Sequence, residues 1–331
     1  LNEKGRAGFV MSSQASSAGG GEAKVRRKLV ETGDVDVMFA IRSNFFYTRT
    51  VPCELWFLNR DKPAQHRDKV LMIDARNVYR KVTQRIYDFS PEQQQNLLAI
   101  VWLYRGQKQK FLDLVAGYQS RVLEEVRKCS PLLSNLSAAL AAPSGNDADP
   151  KVKEELDSAL PVFHTDIDAF NQTANQGKAM DELERLANSS HDLIRQIDML
   201  FKTASRLYDS RAGRQINRVR KTADEARKLA VEQLKQVHYF WQQADWLNER
   251  FPDAELRDVE GLVKLVDRTE IEANDWSLTP GRYVGVAPEV EDEDFDFGQV
   301  MREIHLELEG LNDEAVRLAG VIQRNFEGLG V

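Results

Sequence analysis

The hydrophobic pattern of this chain changes period once, near Arg76, and that change limits the fold more than any other feature. Before it, short apolar runs alternate with turn residues: residues 7–12 (AGFVMS), Val35–Ile41 (VDVMFAI), residues 53–58 (CELWFL) and residues 70–74 (VLMID). Such runs are strand signals. Residues 22–32, with Val25, Leu29 and Val30 on one face and Gly33 as C-cap, read as a helix between the first two strands. The link 45–52 is too short for a helix, so the strands it joins should be antiparallel. Strand, helix, strand and a hairpin-like strand pair form the back half of an open α/β sheet.

Beyond Arg76 the strand signals end and apolar residues recur at helical spacing. Ser90-Pro91-Glu92-Gln93 starts a helix that continues through Leu97, Leu98, Val101 and Trp102. A second stretch holds Phe111, Leu112, Val115, Tyr118, Val122 and Val126. Residues 141–150 (AAPSGNDADP) read as a linker, and residues 151–176 carry a weak helical pattern. Two long helices follow over 179–209 and 214–249, each about 45–50 Å long. The short 210–213 join makes them an antiparallel, coiled-coil-like pair. After an irregular stretch (267–285) and an acidic run (289–296), a last helix over 297–326 spaces Ile304, Leu308, Leu311, Ala315, Leu318 and Ile322 as 4-3-4-3-4. That is the stripe of a helix that pairs. The expected organisation is α/β plus all-α: an α/β part (1–80), a helical segment (81–140), a linker (141–150), a helical insertion (151–268), and a C-terminal segment with a partner-binding helix (269–331).

Composition removes several classes of function. With 42% hydrophobic and 29% charged residues among 331, a core can form. The two cysteines, Cys53 and Cys129, exclude a disulfide scaffold and a C-x-x-C zinc site. No apolar run is long enough for a membrane helix and no leader pattern opens the sequence, so a cytoplasmic protein is expected. The net charge of −7 hides an asymmetry. Residues 1–80 hold 14 basic and 9 acidic side chains, whereas residues 286–331 hold 3 and 12. Only the front suits a polyanion. Residues 202–228 carry nine basic and three acidic residues, either a solvated helix face or a surface for DNA. The five histidines (His66, His164, His191, His238, His305) show no ligand spacing, and the acidic run reads as a solvated loop, so no metal site is expected. Gly19-Gly20-Gly21 before a helix is either a flexible loop or a phosphate cradle. A strand so near Leu1 suggests a piece of something larger.

Several segments resemble the modification subunits of type I restriction–modification systems, which are adenine-N6 DNA methyltransferases. Residues 5–12 (GRAGFVMS) resemble the strand after that family's catalytic motif. Residues 24–32, Val35–Ile41, 44–48 (NFFYT) and 53–58 match the next parts. Residues 69–76 (KVLMIDAR) resemble its FIDAR strand, and residues 89–92, 104–106 and 276–284 (WSLTPGRYV) match further segments. The resemblance implies the back half of a Rossmann-like sheet that binds S-adenosylmethionine, followed by a helical domain. It also implies DNA and the specificity subunit as partners. The family's glycine-rich cofactor motif and its Asn-Pro-Pro-Tyr/Phe motif do not occur in this sequence, which has no Pro-Pro dipeptide. No catalytic or cofactor-binding residue is therefore assigned here. An upstream methyltransferase half, if separately encoded, becomes an expected partner, and the chain is expected to be inactive alone.

The aromatic that packs on the flipped-out target base aligns with Phe46, although Phe45 or Phe46 filling the sheet core is the plainer alternative. Arg42, Arg49 and Arg60, on loops at the hairpin, are candidate DNA contacts. Ile304, Leu308, Leu311, Leu318 and Ile322 are candidates for binding the specificity subunit, or for folding back on their own helical domain. The competing function is a non-catalytic DNA- or protein-binding helical module, or a degenerate fragment.

Overall fold

The computed structural model describes residues 1–46, 50–83, 86–141, 150–175, 177–209 and 214–286, together with Ala315 and Leu318. It falls into two compact units, 1–286 and 287–331. The larger unit contains β1 (Arg6–Ser12), α1 (Ser13–Ser17), α2 (Gly21–Glu31), β2 (Val35–Ile41), β3 (Cys53–Asn59), β4 (Lys69–Asp74), the short β5 (Arg80–Lys81) and β6 (Tyr87–Asp88), then helices α3 (Pro91–Tyr104), α4 (Lys108–Ala141), α5 (Pro150–Thr173), α6 (Met180–Asp209) and α7 (Arg214–Arg250), and finally β7 (Val263–Asp267) and α8 (Arg268–Ala273).

The main sheet is mixed, in the order β1-β3-β2-β4-β7. Strand β3 lies antiparallel between β1 and β2, with Gly8 opposite Phe57 and Met38 opposite Trp56. The antiparallel link between β2 and β3 is as the short loop requires. Strand β4 does not form a hairpin with β3; it passes to the far side of β2 and pairs there in parallel, Met38 beside Met72. β7 then pairs antiparallel with β4, Leu71 opposite Leu265. The expectation that strands end at Arg76 therefore fails. β7 is a five-residue run interrupted by Lys264, and its partner strand lies almost two hundred residues upstream. Local pattern cannot register such a pairing.

Alternation along the strands divides the sheet between two cores. Val37, Leu71 and Ile73 pack against α3, the first turns of α4 and the end of α7 through Leu97, Ile100, Phe111, Leu247 and Phe251. Met38, Trp56, Val70, Met72 and Val266 pack on the other face against Val30, Ile271, Leu278, Tyr283 and Val284. Val35 joins this second core out of phase with Val37 because the ladder is irregular between them. A third core lies wholly among helices: Val122 to Leu140 of α4, Leu156 and Phe163 of α5, Leu186 and Ile197 of α6, and Leu234 and Val237 of α7. Helices α6 and α7 do pack together, but within a group that α4 and α5 complete. The weak pattern over 151–176 becomes the regular helix α5 because Val152, Leu156, Leu160, Phe163, Ile167 and Phe170 are buried on one face. The linker at 141–150 and the join at 210–213 lie outside the described residues, apart from Ala141 and Pro150 at helix ends.

Two local expectations are refined. Helix α2 buries Arg26 and Val30, while Val25 is exposed. Ser90 caps α3 through a reciprocal box with Gln93: Gln93 N donates to Ser90 Oγ at 3.1 Å and Ser90 N to Gln93 Oε1 at 2.9 Å.

Leu278 is fully buried against strands it follows by about two hundred residues. Truncating it to Ala should lower unfolding free energy by about 2–5 kcal/mol, the usual range for a core leucine. Urea unfolding checks this, with a shifted midpoint and an unchanged slope as the expected result.

Candidate functional site

Strands β1, β2 and β4 run in the same direction, since β3 opposes β1 and β2 while β4 parallels β2. Their carboxyl ends therefore meet at one edge of the sheet, the place where open α/β sheets bind ligands. Three chain segments leave the sheet there: Ser12 into α1, Arg42 into the loop that holds Phe46, and Asp74 into Ala75-Arg76. The segment 276–284 returns from the far end of the chain to cross this edge. Leu278 N donates to Ser16 O at 2.9 Å, and the Tyr283 hydroxyl donates to Ser277 O at 2.6 Å.

The floor of the edge is a buried polar network. Glu54, at the start of β3, is 1% exposed and accepts from the Ser16 hydroxyl. Burial pushes its carboxyl up to about 8, reinforced by Asp74 and opposed by Arg76 and Arg26. Asp74 at the end of β4 pairs with Arg76, Nε to Oδ1 at 2.8 Å. Gly281 packs on this pair: a Cβ there would lie 3.2 Å from Asp74 Oδ2 and collide with the Arg76 guanidinium. A side chain in place of the glycine of WSLTPGRYV would thus make the arginine of KVLMIDAR shift. Arg26 is 3% exposed and ties three segments by donating to Ala15 O (2.9 Å), Ala18 O (2.6 Å) and Trp276 O (3.1 Å). Sequence reading passed over Glu54, Arg26 and Gly281. A charged residue inside an apolar strand or on the apolar face of a helix was the available signal.

Above this floor stands an aromatic rim. Asn44 adopts φ +60° just after β2, a conformation asparagine tolerates, and turns the chain. Its carbonyl accepts from Tyr87 N at 3.1 Å, which fastens the loop to the β5–β6 hairpin. Phe45 packs inward on Phe89, with ring centroids 4.4 Å apart. Phe46, 6.1 Å from Phe45, is 37% exposed. The two candidates for core filling are therefore separated: Phe45 packs and Phe46 stands at the rim. Arg42 sits on the same loop, with Tyr79 and Tyr87 beside it.

The structure separates two of the candidate arginines, Arg42 and Arg60. Arg60 follows the last residue of β3, and the register Val35 opposite Leu58 puts it at the amino end of β2. It lies at the other edge of the sheet from Arg42, where it donates to Leu1 O at 2.8 Å and faces Asp34 at 3.5 Å. Arg49 lies outside the described residues, as do Ile304, Leu308, Leu311 and Ile322; Leu318 is helical and 46% exposed. In the basic stretch 202–228, Arg206 faces Glu155, Lys221 faces Glu225, Arg227 faces Asp198 and Asp224, and Lys228 faces Asp224. Among the described residues no group of acidic, histidine or cysteine side chains is placed to hold a metal. No helix among them is long and apolar enough to cross a membrane. The glycine turn 19–21 follows α1 rather than a strand. A Cβ on any of its three glycines would meet nothing within 4 Å, so no cradle closes there and these residues do not fit S-adenosylmethionine.

An edge with exposed aromatics, a cation and a rigid polar floor suits a planar ring attached to an anion, as in a nucleotide. Residues 1–128, which include β1 to β4, match the N-6 DNA Methylase family model. The relatives are modification subunits of the type I restriction kind. The Type I restriction enzyme MjaIX methylase subunit of Methanocaldococcus jannaschii is 38% identical over 81 residues, covering 24% of this chain and 14% of that protein. The MjaVIII methylase subunit of the same organism is 28% identical over 166 residues, covering 50% of this chain and 27% of its own. The HindI methylase subunit of Haemophilus influenzae is 26% identical over 117 residues, covering 35% and 25%. The chain thus spans about a quarter or less of the length of the curated relatives it matches. A crystal structure of a type I restriction-modification system methyltransferase subunit from Streptococcus thermophilus aligns with 28% of this chain at 20% identity, with a TM-score of 0.26, too low to bear on the fold.

The Glu54 carboxyl makes stability fall with rising pH. In the folded protein it holds its proton to about pH 8, whereas the free group releases it near 4.5. The folded state therefore binds more protons between these values. The contribution is complete below pH 4.5 and is lost as pH rises to about 8. Glu54→Gln should remove this slope: compared by urea unfolding at pH 5 and pH 8.5, the variant should gain on the wild type at the higher pH.

Proposed function

We propose that this chain is the C-terminal part of a type I modification subunit, and that it supplies the target-base and partner surfaces of an adenine-N6 DNA methyltransferase. The observation that carries this reading is convergence. The carboxyl ends of GRAGFVMS and KVLMIDAR, the Asn44–Phe46 part of NFFYT, and WSLTPGRYV are scattered over nearly three hundred residues, yet they meet at one edge of one sheet. A second observation supports it. β1 is an outer strand whose Phe9, Val10 and Met11 are 39%, 51% and 39% exposed, which leaves an apolar flank for further structure.

In this reading the sheet is the back half of a Rossmann-like methyltransferase fold. The glycine-rich and Asn-Pro-Pro-Tyr/Phe motifs come from another part of the subunit, and they bring S-adenosylmethionine, the methyl donor. This chain holds the extruded adenine. Phe46 stacks on its face, and the floor of Glu54, Asp74, Arg76 and Gly281 keeps the loop anchorage rigid. The 4-3-4-3-4 stripe of Ile304, Leu308, Leu311, Leu318 and Ile322 contacts the specificity subunit, which reads the DNA sequence, and α6 with α7 forms a coiled-coil-like pair within the helical group. Action on DNA places the complex in the cytoplasm. The alternative of a helical DNA-binding module draws less support, because the cations of 202–228 named above already face carboxylates.

The test is transfer of labelled methyl groups to DNA adenine. The chain alone should give none, and addition of a polypeptide carrying the two missing motifs should restore it. In the restored system Phe46→Ala should lower the rate by about 10- to 100-fold, the scale of one lost base-stacking contact. Transfer by the chain alone would overturn the division of labour, and full activity of Phe46→Ala would overturn the stacking role.

A further inference from the structure

Arg42, at the carboxyl edge, has no carboxylate partner among the described residues. Arg26 donates to three carbonyls, Arg76 pairs with Asp74, and Arg80 pairs with Asp88 at 2.7 Å. Arg42 has aromatic neighbours instead. Its guanidinium carbon lies 3.9 Å from the Tyr79 ring centroid and 3.8 Å from that of Tyr87. Those rings stand 5.1 Å apart at 82°, so the cation occupies a corner between two aromatic walls. Its Nε is buried and has no acceptor among the described residues. Cation–π contact fixes the position of a guanidinium but does not cancel its charge. A buried donor without an acceptor is a cost that an incoming anion relieves.

The walls are held in place. Arg80 and Asp88 clamp the hairpin with bonds of 2.9 and 2.7 Å, and Tyr87 N binds Asn44 O. The hairpin, the corner and the loop bearing Phe46 therefore form one connected rim. Tyr79 is 38% exposed and Phe46 37%, so aromatic surface borders the cation on the open side. In-plane guanidinium donors match the paired oxygens of a phosphate. Bordering aromatic faces match unstacked bases.

We propose that Arg42 is a phosphate ligand: it binds a backbone phosphodiester beside the nucleotide whose base stacks on Phe46, with Tyr79 and Tyr87 as positioning residues that hold the guanidinium in its corner. This assignment rests on the reading of Phe46 given above, and it sets Arg42 apart from Arg60, which lies at the opposite edge.

The experiment is fluorescence anisotropy of the full 331-residue chain with a labelled single-stranded, adenine-containing 20-mer and its duplex, over a sodium chloride series. Arg42→Gln should weaken binding about tenfold at low salt and reduce the slope of log affinity against log salt by about 0.7 to 0.9, the signature of one lost phosphate contact. Arg60→Gln should leave the slope unchanged. Tyr79→Leu with Tyr87→Leu should weaken binding at an unchanged slope, and the corresponding double Phe variant should restore it. Where glutamine unfolds the loop, Arg42→Lys decides: weaker binding with the slope retained supports the assignment, and wild-type binding overturns it. Folded Arg42→Gln with an unchanged slope, or Arg60→Gln with an equal loss, overturns the assignment while leaving the role of Phe46 standing. Failure of the wild type to bind either probe overturns the nucleic-acid reading of the edge, and this assignment with it.

Discussion

The packing of α4 beside α7 is the interaction on which the rest of this structure depends. At 34 and 37 residues these helices are about 50 and 55 Å long, longer than either core they serve. Phe111, Val115 and Tyr118 of α4 lie with Ala244, Leu247 and Phe251 of α7 against the sheet. Further along, Val122 to Leu140 and Ala230 to Val237 belong to the helical core. Each helix runs unbroken through both cores, α4 with Pro131 in its interior. The sheet and the α5–α6 layer are thereby mechanically joined, and α7 delivers the chain back to the sheet at Phe251.

That return makes the edge possible. β7 adds to β4, and residues 276–284 cross the carboxyl ends of the strands, where Leu278, Tyr283 and Val284 are buried. The crossing is secured by groups that are expensive to bury unless partnered. Arg26 satisfies three carbonyls from two distant segments, and Glu54 accepts from Ser16 with its own carboxyl held neutral by burial. Gly281 is the steric counterpart, since a side chain there would displace the Arg76 guanidinium and press on Asp74. The outcome is a rigid floor beneath a rim in which Phe45 is anchored on Phe89 and Phe46 is left facing outward. Such anchorage leaves the exposed aromatic few degrees of freedom to lose on binding a flat ligand.

Much of the front of the chain was legible because its signals are local. Alternating apolar runs gave β1 to β4, Gly33 marked the end of α2, and Ser90-Pro91 marked the start of α3 with its capping box realised. The antiparallel relation of β2 and β3 followed from loop length alone. The resemblance carried by KVLMIDAR and WSLTPGRYV pointed to the modification subunits that the comparisons then returned. What stayed hidden was non-local. β7 is too short and too interrupted to announce itself, β4 takes its place beside β2 rather than β3, and α2 buries an arginine where Val25 was expected.

The sequence by itself determined the types of element, the ends of several of them and the family pattern, since these depend on neighbours a few residues apart. Only the tertiary structure decided which groups share a site. Arg42 and Arg60 look equivalent as loop arginines, but antiparallel register sends them to opposite edges of the sheet. Phe45 and Phe46 are adjacent in sequence, and only the position of Phe89 decides which is packed and which is exposed. Glu54 is an ordinary strand glutamate until Ser16, Asp74 and the returning 276–284 segment remove its water. Charge state, exposure and proximity come from the surroundings, and those surroundings are assembled from residues hundreds of positions apart.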